Sequence, residues 1–138
     1  MTPADPLAIE AVPVAPDRFS AYAYSAAIAV GNLLFVSGQS SVDDDGATVG
    51  AGDFEAQGHQ TFRNLRRALE AGGSSLADVA KVTIFLTDMA HIGAVVALRK
   101  RYFTAPYPAD SLVEVRALSR PELEIEIEAI AVRRPPAG

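Results

Sequence analysis

From Glu122 to Val132 the chain alternates without a break. Leu123, Ile125, Ile127, Ala129 and Ala131 fall on one side of an extended backbone; Glu122, Glu124, Glu126, Glu128, Ile130 and Val132 fall on the other. Period-two patterning of this kind predicts a β-strand with one face in a hydrophobic core. The second face is the tighter constraint. It starts with carboxylates, which favour water, and ends with Ile130 and Val132, which do not. A sheet built on this strand therefore has one face packed by its own chain and another that needs partial cover from elsewhere.

The cover for the first face is legible upstream. Phe54, Gly58, Thr61, Phe62, Leu65 and Leu69 make one stripe at helical spacing, which predicts a helix over Asp53–Ala71, stopped by Gly72-Gly73. A second helix is expected from a cap at Asp88 to about Phe103, with Ile92, Val95, Val96, Arg99 and Phe103 as its inward stripe. Pro106 and Pro108 end it.

The remaining runs read as strands. Tyr22–Val30 and Leu33–Gln39 flank Gly31-Asn32, a hairpin signal. Val79–Leu86 is β-branched and apolar, and Ser111–Val115 is a short strand. Residues 1–18 are rich in Pro and Ala and read as a loosely ordered start, with a short edge strand around Ile9–Val14. With no repeat or linker, residues 1–138 form one domain: an α+β fold with a mixed sheet and two helices on one face. Phe62, Leu65, Leu69, Ile84, Leu86, Val95, Ile125 and Ile127 are the expected core.

Composition narrows the function classes. Without cysteine there is no disulfide, thiolate nucleophile or Cys-based zinc site. The two histidines, His59 and His91, have no second ligand at a convincing spacing, so no metal is expected. A net charge of −5 disfavours a phosphate backbone or an anionic membrane, so neither nucleic acid nor membrane is an expected partner. The Arg63–Arg67 cluster reads as a solvated helix face. The absence of disulfides and of an apolar leader favours the cytoplasm.

Four segments resemble the Rid family, also called YjgF. They are Tyr24-Ser25-Ala26-Ala27-Ile28; Leu34-Phe35-Val36-Ser37-Gly38-Gln39; the run Leu76 to Met89; and Tyr107 to Val115 followed by Ile125 to Val132. They occur in the family's order and near its spacing, over nearly the whole chain. The resemblance implies a chorismate-mutase-like fold and a homotrimer whose uncovered sheet faces pack into a central β-barrel, with small-molecule clefts between neighbours. The family's best-known members hydrolyse enamines and imines such as 2-aminoacrylate to keto acids and ammonia, without metal or organic cofactor.

The same resemblance assigns candidate site residues. Glu126 matches the cleft carboxylate that orients or activates water, and Tyr24 the cleft tyrosine; these are the candidate catalytic pair. Ser37 and Gly38 match the strand end lining the pocket. The deaminases hold the substrate carboxylate with an arginine fork in the stretch equivalent to Tyr107–Val115, where this chain has Asp110. Two carboxylates 4 Å apart at an effective dielectric near 20 repel by about 4 kcal/mol. Activity on 2-aminoacrylate is therefore expected to be weak or absent unless Arg18, Arg116 or Arg120 substitutes. Val96 and Leu112 stand where the family often has an asparagine and a small or thiol residue, which makes the expected pocket more apolar. Three functions fit: an enamine or imine hydrolase of altered specificity, a non-catalytic trimer binding a metabolite or partner, and a chorismatase-like biosynthetic relative.

Overall fold

The computed structural model describes residue 3 and residues 5–135. One six-stranded sheet carries the fold: β1 (Ile9–Ala11), β2 (Ala27–Val30), β3 (Leu33–Ser40), β4 (Val79–Leu86), β5 (Ala109–Glu114) and β6 (Ile125–Val132). Their spatial order is β1-β2-β3-β6-β4-β5. Among the described residues only β4 and β5 pair in parallel, joined through the second helix; the other pairings are antiparallel. The helices are α1 (Phe54–Ala71) and α2 (Ile92–Tyr102). The mixed sheet with two helices is the α+β fold expected.

The hairpin forms where Gly31-Asn32 predicts it, with Val30 opposite Leu33 and Gly31 at φ 56°, a left-handed conformation that favours glycine. Asp53 caps α1 by accepting the Ala56 N–H. The expected core is all there: Phe62, Leu65, Leu69, Ile84, Leu86, Val95, Ile125 and Ile127 are buried to within 1%. Leu123, Ile125, Ile127, Ala129 and Ala131 face the helices, as their alternation requires.

Among the described residues no helix covers the opposite sheet face. Leu33, Phe35 and Val113 on it are 42%, 40% and 38% exposed.

Two expectations need correction. The strand predicted from Tyr22 begins only at Ala27. The Asp17 carboxylate accepts the Phe19 and Ser20 N–H groups and the Ser20 hydroxyl, folding Ser20–Tyr22 into a short 3₁₀ turn, so Tyr22 shares no strand face with Tyr24. The stripe of α2 is also rotated. Val95 and Leu98 are its buried residues, whereas Ile92 and Val96 are 49% and 39% exposed. Asp88 caps a 3₁₀ turn, Met89–His91, that leads into α2 and sets its entry.

Candidate functional site

The β3–β6 pairing is interrupted where it matters most. Val36 pairs with Ala129, but the next partner, Ile127, pairs with Gln39, so β3 carries one extra residue at Ser37-Gly38. A bulge of this kind bends the strand and re-aims side chains. It also explains a shift of phase: Leu34 and Val36 point into the core before it, Gln39 and Ser41 after it. A Cβ on Gly38 would lie 2.5 Å from a carboxylate oxygen of Glu126. The missing side chain is the space in which that carboxylate lies.

Around it is a cleft of about 640 Å³. Tyr24, Gly38 and Glu126 line it together with Phe19, Arg18 and Arg120. Phe19 packs on Tyr24 with ring centroids 5.0 Å apart. Ser37 does not offer its hydroxyl to the cleft; it donates to the Ser25 carbonyl at 2.6 Å and so ties the strand to the segment beside Tyr24.

Glu126 is half-buried and, among the described residues, makes no ion pair. Burial raises its pKa above the ordinary 4.5, and the neighbouring Glu128 pushes the same way. The Tyr24 phenol is also raised, by burial first and then by the charges of Glu126 and Tyr22. A carboxyl that holds its proton to higher pH beside a phenol that stays protonated is suited to pass protons to and from a small polar ligand.

Amides of α1 hold the cleft walls. Asn64 donates to the Ser40 and Val42 carbonyls, at 2.8 Å each. Gln57, fully buried, donates to the Gly50 and Glu122 carbonyls and accepts the Glu124 N–H, which fixes the start of β6. Neither is marked by hydrophobic patterning alone. Gln57, Thr61 and Asn64 share one helix face at i, i+4 and i+7, and amides on a buried stripe signal that the helix holds backbone groups of a loop.

Asp110, Val96 and Leu112 lie elsewhere. They line a second groove, of about 410 Å³, between α2 and β5, with Arg99, Phe103 and Tyr107. Asp110 is not a free carboxylate. Arg99 grips it with two hydrogen bonds, 2.8 and 2.9 Å, and the two side chains are only 25% and 19% exposed. The rotated stripe of α2 has the same cause, because Val96 and Arg99 face this groove. Of the three candidate replacement arginines, Arg18 and Arg120 are in the Glu126 cleft, while Arg116 is exposed and lines neither. β4 and its neighbours separate the two cavities, so one chain does not bring all the candidate residues together.

His91 stacks on Phe54 and lies 3.4 Å from Glu124; His59 bonds the Tyr102 hydroxyl. Among the described residues no group of three potential metal ligands forms, and no helix is long and apolar enough to cross a membrane.

The sequence model described as endoribonuclease L-PSP matches residues 15–133. A RutC family protein of Pyrococcus horikoshii is 42% identical over 110 residues, 80% of this chain and 86% of its own. A 2-iminobutanoate/2-iminopropanoate deaminase of Salmonella typhimurium is 39% identical over 114 residues, covering 80% of this chain and 88% of its own. The crystal structure of a Rid-family protein of unknown function from Yersinia pestis superposes with a TM-score of 0.82 at 32% identity, over 91% of this chain and 99% of that one.

Proposed function

Because the chain belongs to the endoribonuclease L-PSP family, the Rid or YjgF group, we propose that it is a cofactor-independent hydrolase that releases ammonia from small enamine- or imine-like compounds. The observation that carries this reading is the juxtaposition of Glu126, Tyr24 and the bulged Gly38 in one cleft. Related chains named as 2-iminobutanoate/2-iminopropanoate deaminases support it. The reaction takes place in the cytoplasm.

The chemistry needs only water and a proton carrier. An enamine first takes a proton at carbon and gives one up from nitrogen to become the imine. Water then adds to the C=N carbon, forming a C–O bond, while nitrogen gains a proton. The C–N bond breaks, ammonia leaves, and the hydroxyl loses its proton as the C=O bond forms. Glu126 relays protons between water and nitrogen. The Tyr24 hydroxyl orients the water or the substrate.

The site is completed by assembly. The bare sheet face, with Leu33, Phe35 and Val113 exposed, packs against other copies in a homotrimer with a central β-barrel. That places the Asp110 groove of one chain beside the Glu126 cleft of the next, making Val96, Leu112 and Asp110 its outer wall. Specificity differs from that of deaminases bearing an arginine at this place, because Asp110 holds Arg99 and leaves it fewer donors for a ligand.

A coupled assay that generates 2-aminoacrylate and bulkier imines in situ tests both halves. Glu126→Gln is expected to lower ammonia release by about 100-fold or more. Wild type is expected to be slow on 2-aminoacrylate, and Asp110→Arg faster. An active Glu126→Gln variant refutes the catalytic assignment; wild-type turnover of 2-aminoacrylate matching an arginine-bearing relative refutes the specificity.

A further inference from the structure

We propose that Arg18 and Arg120 form an anion seat inside the Glu126 cleft, so that the compound bound there carries an acidic group, a carboxylate or a phosphate, apart from its C=N end. The inference rests on reading this cleft as the hydrolytic site, and adds to it the substrate class.

Each guanidinium group has a hydrogen-bond partner, and for neither is it Glu126. Arg18 donates to the Asp43 carbonyl, a neutral partner. Among the described residues none of the carboxylates of the acidic loop it touches pairs with it. The Asp43 carboxylate accepts the Asp45 and Ala47 N–H groups of its own turn, and Asp44 pairs with Arg67. Among the described residues Arg18 has no carboxylate within 4 Å. Arg120 donates to the Thr48 hydroxyl at 3.0 Å, and that hydroxyl donates to Glu122 at 2.7 Å. Glu122 thus offsets part of the Arg120 charge, which makes Arg18 the stronger member of the pair.

A half-buried guanidinium held in place by a neutral acceptor keeps its remaining donors for a ligand. Two of them on the walls of one cleft offer planar, charge-assisted hydrogen bonds to an oxyanion. Glu126 lines the same cleft without pairing to either arginine, so the cleft presents separate positive and acidic regions. A volume of about 640 Å³ accommodates more than a three-carbon acid. A compound with its acidic group on the arginines and its imine at Glu126 uses both regions. Asp110, which the assembly brings to the outer wall of this cleft, is already paired with Arg99, so its charge is offset.

The test is calorimetric titration of the full-length protein with glutarate, its neutral isostere glutaramide, and inorganic phosphate. Glutarate or phosphate is expected to bind, and glutaramide at least about tenfold more weakly. The tighter of the two anions identifies the acidic group. Arg18→Gln is expected to weaken the anion by about tenfold or more and Arg120→Gln by less, while Arg18→Lys retains part of the affinity. Arg116→Gln, which changes net charge equally but lines neither cavity, is expected to change nothing. Circular dichroism confirms that each variant is folded.

Equal affinity for glutarate and glutaramide overturns the proposal, as does unchanged anion binding in both Gln variants or no anion binding by the wild type. The reading of the site as a hydrolase fails separately. If no imine is turned over yet the arginine variants lose the anion, the seat stands and the hydrolase does not. If Glu126→Gln abolishes ammonia release while the arginine variants bind and turn over normally, the hydrolase stands and the seat does not.

Discussion

Glu126 is a carboxyl group drawn partly out of water and, among the described residues, paired with no cation. This has a thermodynamic signature. Its folded-state pKa is raised, by burial first and by Glu128 second, so the folded protein binds this proton more tightly than the unfolded chain does. The contribution of Glu126 to stability is therefore fully present below the ordinary value of 4.5 and is lost as pH rises through the raised folded value. Glu126→Gln removes the penalty. Thermal melts across the pH range are expected to show the variant more stable than wild type at neutral pH, with the gap closing in acid. Equal melting curves at every pH would show that the carboxylate is well solvated. The single residues differ in how legible they were. Glu126 was one of four alternating glutamates, and only its resemblance to a family position set it apart. The Arg99–Asp110 pair was hidden, because eleven residues of separation across a helix end say nothing about which side chain grips which.

At the scale of elements, hydrophobic patterning predicts structure wherever burial alone decides. The α1 stripe and the β6 alternation matched because each buries one face against the other. Patterning does not predict structure where a polar side chain or an open groove overrides hydrophobicity. Asp17 turned the predicted start of a strand at Tyr22 into a 3₁₀ turn, and the groove beside β5 took Val96 out of the core. The bulge in β3 was not legible at all, since Ser37-Gly38 reads as an ordinary strand end. It is nonetheless the element that sets Glu126. Gly38→Ala puts a methyl group where the carboxylate lies, and the cheap response is to swing the flexible Glu126 side chain away. Activity is expected to fall about 100-fold for a displaced proton carrier, with little loss of melting temperature. A variant as active as wild type would mean that the carboxylate works from another position.

For the whole molecule, the sheet face with Leu33, Phe35 and Val113 exposed is the surface that the proposed homotrimer covers. Ile130 and Phe35 lie opposite each other on it in register, in the middle of the sheet. Light scattering at micromolar concentration is expected to give a trimer, each interface clearing about 1,000 Å². Ile130→Glu is expected to shift the protein toward monomer. A wild-type monomer would end the barrel arrangement and leave each cavity to function alone.

The sheet order sends the two cavities to different strands, and this has a consequence for genetics. If each working site takes its Glu126 wall from one copy and its Asp110 wall from the next, two inactive alleles can repair one another. Chains carrying Glu126→Gln and chains disabled in the Arg99–Asp110 groove, unfolded together and refolded as mixed trimers, are expected to regain activity at about a quarter of their sites, because symmetry lets an intact wall of one chain meet an intact wall of its neighbour. Refolded separately and then combined, they should stay silent. In a cell producing both, neither allele would be simply recessive, and inheritance would follow the pairing of surfaces rather than the number of good copies.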